Sequence, residues 1–202
     1  MTLKPFLGAL VLTLAGAGSL SAATLTFALK ETGSGVVLTT SGSLSDETPW
    51  TYSGIFNESF SGVVSSSQGG IGVAYGLYDV YTATFTAPNT FGSGSLVVGD
   101  SFSGDNVAIV AVLGQLAVPT GYLWGSPLAN AATFSGASFA SLGVTDGSYY
   151  SWFIGNDEIE LKIGGGGSAV PETGTTLAGL ALALAGLVTL RQRAGRRGAA
   201  EA

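Results

Sequence analysis

The sequence predicts an all-β domain: a single β-sandwich or jelly-roll-like ectodomain, flanked by an N-terminal signal helix and a C-terminal single transmembrane helix. Three observations carry this. Between residues 24 and 163 apolar and polar residues alternate in short runs, the two-residue period of a half-buried strand, with no competing 3.6-residue period. Gly, Ser and Asn punctuate those runs, as turns between short strands require. The two long apolar stretches lie at the ends, 6–20 and 175–190, and not in the middle.

The clearest strand is 158–163, where Ile159, Leu161 and Ile163 point one way and Glu158, Glu160 and Lys162 the other. Gly155-Asn-Asp157 before it reads as a turn, so 149–154 and 158–163 form a hairpin. Further strands are expected at 24–29, 36–40, 50–56, 59–65, 71–75, 78–86, 95–98, 107–113, 122–125, 132–134 and 138–140. The run at 107–113 is apolar on both faces, and its β-branched content favours a buried strand over a helix. About 140 residues suffice for one core.

Composition removes whole classes of chemistry. The chain has no cysteine and no histidine, so disulfides and thiolate or imidazole metal sites are excluded. No cofactor is expected. From 24 to 169 two lysines, Lys30 and Lys162, face eleven carboxylates. Such an acidic body repels phosphate backbones, so nucleic acid is not an expected partner.

The two ends read as targeting segments. Lys4 begins a short basic region, 6–20 is apolar, and Ser21 and Ala23 are the small residues of a leader cut after Ala23. Residues 1–23 are therefore expected to be a signal peptide, 24–163 the ectodomain and 164–169 a Gly/Ser linker. Secretion machinery and a signal peptidase are the partners this implies. Residues 170–202 divide into a motif at 170–174, an apolar span at 175–190 and a tail at 191–202 holding Arg191, Arg193, Arg196 and Arg197. A helix over 175–190 would rise about 24 Å at 1.5 Å per residue, short for a hydrocarbon core of about 30 Å, but snorkelling arginines extend its reach. Those arginines should stay cytoplasmic, which puts the ectodomain outside. Pro171 and Gly174 stop the helix from growing outward and leave the motif open to a protease.

The motif Val170-Pro171-Glu172-Thr173-Gly174, followed by Thr175-Thr-Leu-Ala178, the span and the arginines, resembles the PEP-CTERM family of sorting signals, closest to its Val-Pro-Asp-x-Gly-Ser-Thr variant. The resemblance implies processing by an exosortase, an integral-membrane cysteine transpeptidase, in a Gram-negative envelope. It also implies a cell-surface or extracellular-matrix protein, transiently held in the inner membrane, with a setting among biofilm exopolysaccharide. The commonest form has a second proline where this chain has Thr173. Pro171-Glu172-Thr173-Gly174 is also similar to the Leu-Pro-x-Thr-Gly signal of sortase substrates, with Val170 in place of leucine. That alternative implies a cut between Thr173 and Gly174 and attachment to a Gram-positive wall. Within the ectodomain, Pro119-Thr-Gly-Tyr122, Gly125-Ser-Pro-Leu128, Ala132-Thr-Phe134, Ser138 to Val144, Gly147-Ser-Tyr149 and Trp152 resemble a recurrent PEP-CTERM ectodomain type, which implies a β fold but carries no activity.

Catalysis finds little footing, and no enzyme activity is expected. Without histidine a nucleophilic triad lacks its base, and Lys162 alternates onto the solvent side beside Glu160, an ordinary surface pair. Paired carboxylates could hydrolyse glycosides, but none of the acids sits in a recognisable motif. Asp100-Ser-Phe-Ser-Gly-Asp105-Asn106 offers oxygen ligands in a Gly-containing loop, so Asp100 and Asp105 are calcium candidates, although Ala111 stands where an EF-hand needs glutamate. Trp50, Tyr52, Trp124, Tyr149, Tyr150 and Trp152 could stack on sugar rings, though core packing competes for them. Tyr150 and Trp152 share one face of their strand and Tyr149 and Phe153 the other. The Tyr150–Trp152 pair is the candidate ligand surface of a carbohydrate- or calcium-binding module.

Overall fold

A computed structural model describes residues 22–45 and 47–165. The expected signal segment up to Ser21, the motif at 170–174, the span and the arginine tail lie outside the described residues. Among the described residues no helix is long and apolar enough to cross a membrane.

Among the described residues eleven strands build two sheets: β1 (Thr24–Thr32), β2 (Gly35–Gly42), β3 (Thr51–Ser65), β4 (Gly70–Thr82), β5 (Val97–Val98), β6 (Ser101–Gly104), β7 (Val107–Val110), β8 (Gln115–Pro119), β9 (Leu128–Ser135), β10 (Tyr149–Ile154) and β11 (Asp157–Ile163). One sheet has six strands in the order β10-β11-β1-β2-β9-β6, the other five in the order β5-β3-β4-β7-β8. All neighbours are antiparallel except β1 and β11, which run parallel with Thr24 opposite Glu158 and Leu29 opposite Ile163. The all-β class expected from the alternation is therefore observed.

Each strand's alternation decides what it buries. Leu25, Phe27 and Leu29 of β1, Val36 and Leu38 of β2, Ala132 and Phe134 of β9, and Ile159, Leu161 and Ile163 of β11 turn inward from the six-stranded sheet. Val64, Ile71, Val73, Val107, Ile109, Leu116 and Val118 belong to the same core from the five-stranded sheet. Loop residues Leu44, Phe85, Phe91 and Leu142 join them. Full burial of such side chains contributes roughly 1.5–3 kcal/mol each, which is what makes the two sheets close on each other.

A buried hydroxyl ties the loops together. Ser66 is fully buried; its Oγ accepts from the Gly94 N–H at 2.7 Å and donates to the Leu142 carbonyl at 3.0 Å. The glycine is required there, since a Cβ on Gly94 would lie 2.2 Å from the Leu142 oxygen.

The strand boundaries differ from expectation at two breaks, 57–58 and 76–77, that the structure bridges. The runs 50–56 and 59–65 fuse into β3, and 71–75 and 78–86 into a β4 that ends at Thr82. Two register irregularities in β3, between Tyr52 and Gly54 and between Phe60 and Val63, absorb the misfit without ending the strand. The run at 107–113 stops at Val110, where a 3-10 turn (Ala111–Leu113) closes on left-handed Gly114. The stretches 122–125 and 138–140 are loops; Tyr122 is held by its hydroxyl, which donates to the Ser126 carbonyl at 2.7 Å, and not by a ladder. Strands β6 and β8 were not anticipated.

Trp152 corrects the aromatic expectation. It is fully buried, and its indole N–H donates to the Pro88 carbonyl. Tyr150 is half-buried against Phe91, so the Tyr150–Trp152 side is the core side. Tyr149 and Phe153 occupy the open face, because their β11 partners are Lys162 and Glu158. Trp152→Ala should therefore lower stability by about 3–5 kcal/mol in urea unfolding, whereas Phe153→Ser should stay within about 0.5 kcal/mol of the parent.

Candidate functional site

The outer face of the five-stranded sheet carries a hollow. β4 pairs with β7 through Gly70–Val73 and with β8 through Tyr78–Thr82, and β7 and β8 also pair with each other. The backbones crowd at Gly72, where a Cβ would sit 2.3 Å from the Ala108 Cα. Small residues therefore floor the outer side: Ala74, Ala108 and Ala117 form a separate buried apolar group with Tyr78 and Val80. Larger side chains stand around them, Phe56 and Phe60 from β3 and Leu96 from the loop before β5. Phe56 and Tyr78 stack at 6.4 Å between ring centroids. The cavity so enclosed measures about 290 Å³.

Its polar rim is sparse. Among the described residues Glu58 is the carboxylate that lines it, with Ser65, Gln68 and Gln115 as neutral partners. Two-carboxylate hydrolysis needs a second acid across the cleft, and among the described residues no second acid lines this one. What the hollow can do is hold an apolar group beside a single negative charge. Sequence reasoning did not single it out, because alanines on three separate strands become a floor only once β7 and β8 lie beside β4.

The outer face of the six-stranded sheet is polar. Glu160 accepts from Tyr149 Oη at 2.7 Å and from Thr26 Oγ1 at 3.0 Å, and pairs with Lys162 Nζ at 2.7 Å. Burial alone would raise the Glu160 carboxyl, but hydrogen bonds from Lys162, Tyr149 and Thr26 outweigh it and hold the group below the usual carboxylate range. The Tyr149 phenol is pushed far up by burial and then by the two glutamates, Glu160 and Glu158, that accept its proton. Lys162 pairs with Glu160, as their alternation along the strand predicts.

The calcium candidates do not come together. Asp100 and Asp105 flank β6 at opposite ends, about 13 Å of strand at 3.3 Å per residue. Each carboxylate is engaged by β9: Asp100 Oδ2 accepts from the Ser135 N–H at 2.6 Å and Asp105 Oδ2 from the Ala129 N–H at 2.9 Å. The first bond lowers the Asp100 carboxyl below its ordinary value. These acids cap a strand edge, and the expected cation loop is that strand. Among the described residues no cluster of three or more acids suited to a metal ion occurs.

Of the other expected aromatics, Trp50 is buried, stacked on half-buried Trp124 and edge-on to Phe85, while Tyr52 lies half out against Tyr81. They close one end of the core. Ala23 falls just ahead of β1, within the described residues.

Compared with known protein families, curated proteins and solved structures, the chain matches none.

The Glu160 network sets a pH dependence. Because its folded pKa is depressed, Glu160 contributes stability that is present above about pH 4.3 and lost as pH falls through the folded value. Tyr149, with a raised pKa, contributes stability that is present below about pH 10 and lost as pH rises beyond it. Glu160→Gln should flatten the acid limb of a melting-temperature profile, and Tyr149→Phe the alkaline limb.

Proposed function

We propose that the chain is an exported, C-terminally sorted cell-surface or matrix protein whose β-sandwich is displayed outside the cell without catalytic activity. The order of segments carries the reading: apolar leader, acidic domain, Gly/Ser spacer, Val170-Pro171-Glu172-Thr173-Gly174, apolar run and arginines. Export suits a chain without cysteine, which has no thiol to oxidise. The limits of the folded unit support the same division. Its first strand begins at Thr24 and its last ends at Ile163, within a residue or so of where the leader and spacer were read.

The parallel pairing of β1 and β11 adds an orientation. Parallel neighbours enter at one end of the sheet and leave at the other. The chain leaves beside Leu29, whose carbonyl accepts from the Gly164 N–H at 2.8 Å. A tail held in the membrane would therefore point the Leu29–Ile163 end inward, and the Thr24 end, with loops 43–50 and 120–127, outward. The acidic domain standing off an anionic bilayer is consistent with display rather than adhesion to lipid.

Processing by an exosortase-type transpeptidase is the reading we favour, with a sortase as the second, because Val170 and Thr173 fit each signal in part. Expression in the native host with and without its transpeptidase, followed by mass measurement of the mature C-terminus, tests this. The expected result is loss of the span and arginine tail only when the enzyme is present. A new terminus at Thr173 would select the sortase reading, and an intact tail despite the enzyme would contradict both.

A further inference from the structure

Asp157 opens β11 with its side chain on the core side, opposite Ile154, and is fully buried. A buried carboxylate is tolerated only where donors or a positive charge meet it. Among its donors are the Ser45 N–H at 2.8 Å and the Ser45 hydroxyl. Another is the Ala23 nitrogen, 3.2 Å from Asp157 Oδ1. The Ala23 carbonyl in turn accepts from the Glu158 N–H at 3.0 Å, extending the β1–β11 ladder one residue ahead of Thr24. Both backbone groups of Ala23 are thus used by the fold, while Ala22 before it is exposed.

A leader cut after Ala23 would remove the carbonyl that Glu158 needs and the nitrogen that faces Asp157. We propose that the leader is cut between Ala22 and Ala23, and that Asp157 is the seat of the mature N-terminus. In the cut, water adds its oxygen to the Ala22 carbonyl carbon as the C–N bond breaks, and the Ala23 nitrogen leaves as an amine that takes up a proton. Ala22 then fills the small −1 position, with Leu20 at −3. Cutting after Ala23 would place the smaller Ser21 at −3, so the peptidase's preference and the needs of the fold favour different bonds. The resulting α-ammonium lies where the Ala23 amide now donates, against a buried carboxylate, and gains a charge-assisted bond in place of a neutral one. Asp157 would then join three points of one end of the six-stranded sheet: the new terminus ahead of β1, Ser45 after β2 and the start of β11.

The inference rests on the export reading, and one experiment separates the two. The full chain is expressed in its host, and the mature protein is recovered and its N-terminal residue read by mass spectrometry. Ala23 as the first residue is the expected result. Thr24 or Ala22 as the first residue would overturn this inference while leaving export intact, and an uncut leader on cytosolic protein would overturn the export reading as well. A second readout is acylation of the terminal amine at neutral pH in the native secreted protein against the same protein in urea. A carboxylate partner raises an amine's pKa, and one unit means about tenfold less free amine. Labelling about tenfold slower in the native state is expected, and equal rates would contradict the pairing.

Discussion

The parallel seam between β1 and β11 is the constraint on which the rest of the molecule depends. It seats the first and last strands side by side within the six-stranded sheet, with Phe27 opposite Leu161 and Leu29 opposite Ile163. β11 also carries β10, so the Trp152 side of the core cannot close until the end of the domain has joined its beginning. The same seam fixes where the chain enters and leaves. Antiparallel neighbours would have brought the start of β1 and the end of β11 to one end of the sheet, whereas parallel ones put the length of the sheet between them.

The two outer faces solve different problems. On the six-stranded sheet, Thr26, Tyr149, Glu160 and Lys162 satisfy one another, as an exposed sheet surface requires. On the five-stranded sheet, close pairing among β4, β7 and β8 excludes large side chains and leaves an apolar hollow floored by alanines. Asp157, fully buried, is a carboxylate committed to one end of the six-stranded sheet, where it meets Ser45 and Ala23.

Much of the fold was legible in the sequence. β1, β2, β10 and β11 lie close to where the sequence placed them, because one face of each meets the core and the other meets water. The breaks between runs were a main source of error. Asn57-Glu58 and Gly76-Leu77 were left between expected strands, yet β3 and β4 run through them and pair there, Asn57 with Leu77 and Glu58 with Gly76. β8 was hidden because Leu116, Ala117 and Val118 are all buried and so lack a period. The side of β10 that faces solvent could not be read from β10 itself. Tyr150 and Trp152 alternate as cleanly as Tyr149 and Phe153, and only the register with β11 sets Trp152 beside Ile159. Asp100 and Asp105 misled for a related reason: turn-like spacing of oxygen ligands is also the spacing of acids that cap both ends of a short edge strand.

The claim on which this account stands is that the folded domain is delivered outside the cell. The absence of cysteine makes it directly measurable. Leu123 is 75% exposed on the loop after β8, so Leu123→Cys places one thiol on the surface. In the native host, a membrane-impermeant maleimide should label this variant of the full chain on intact cells or in the medium. Labelling that appears only after the cells are lysed would contradict the account.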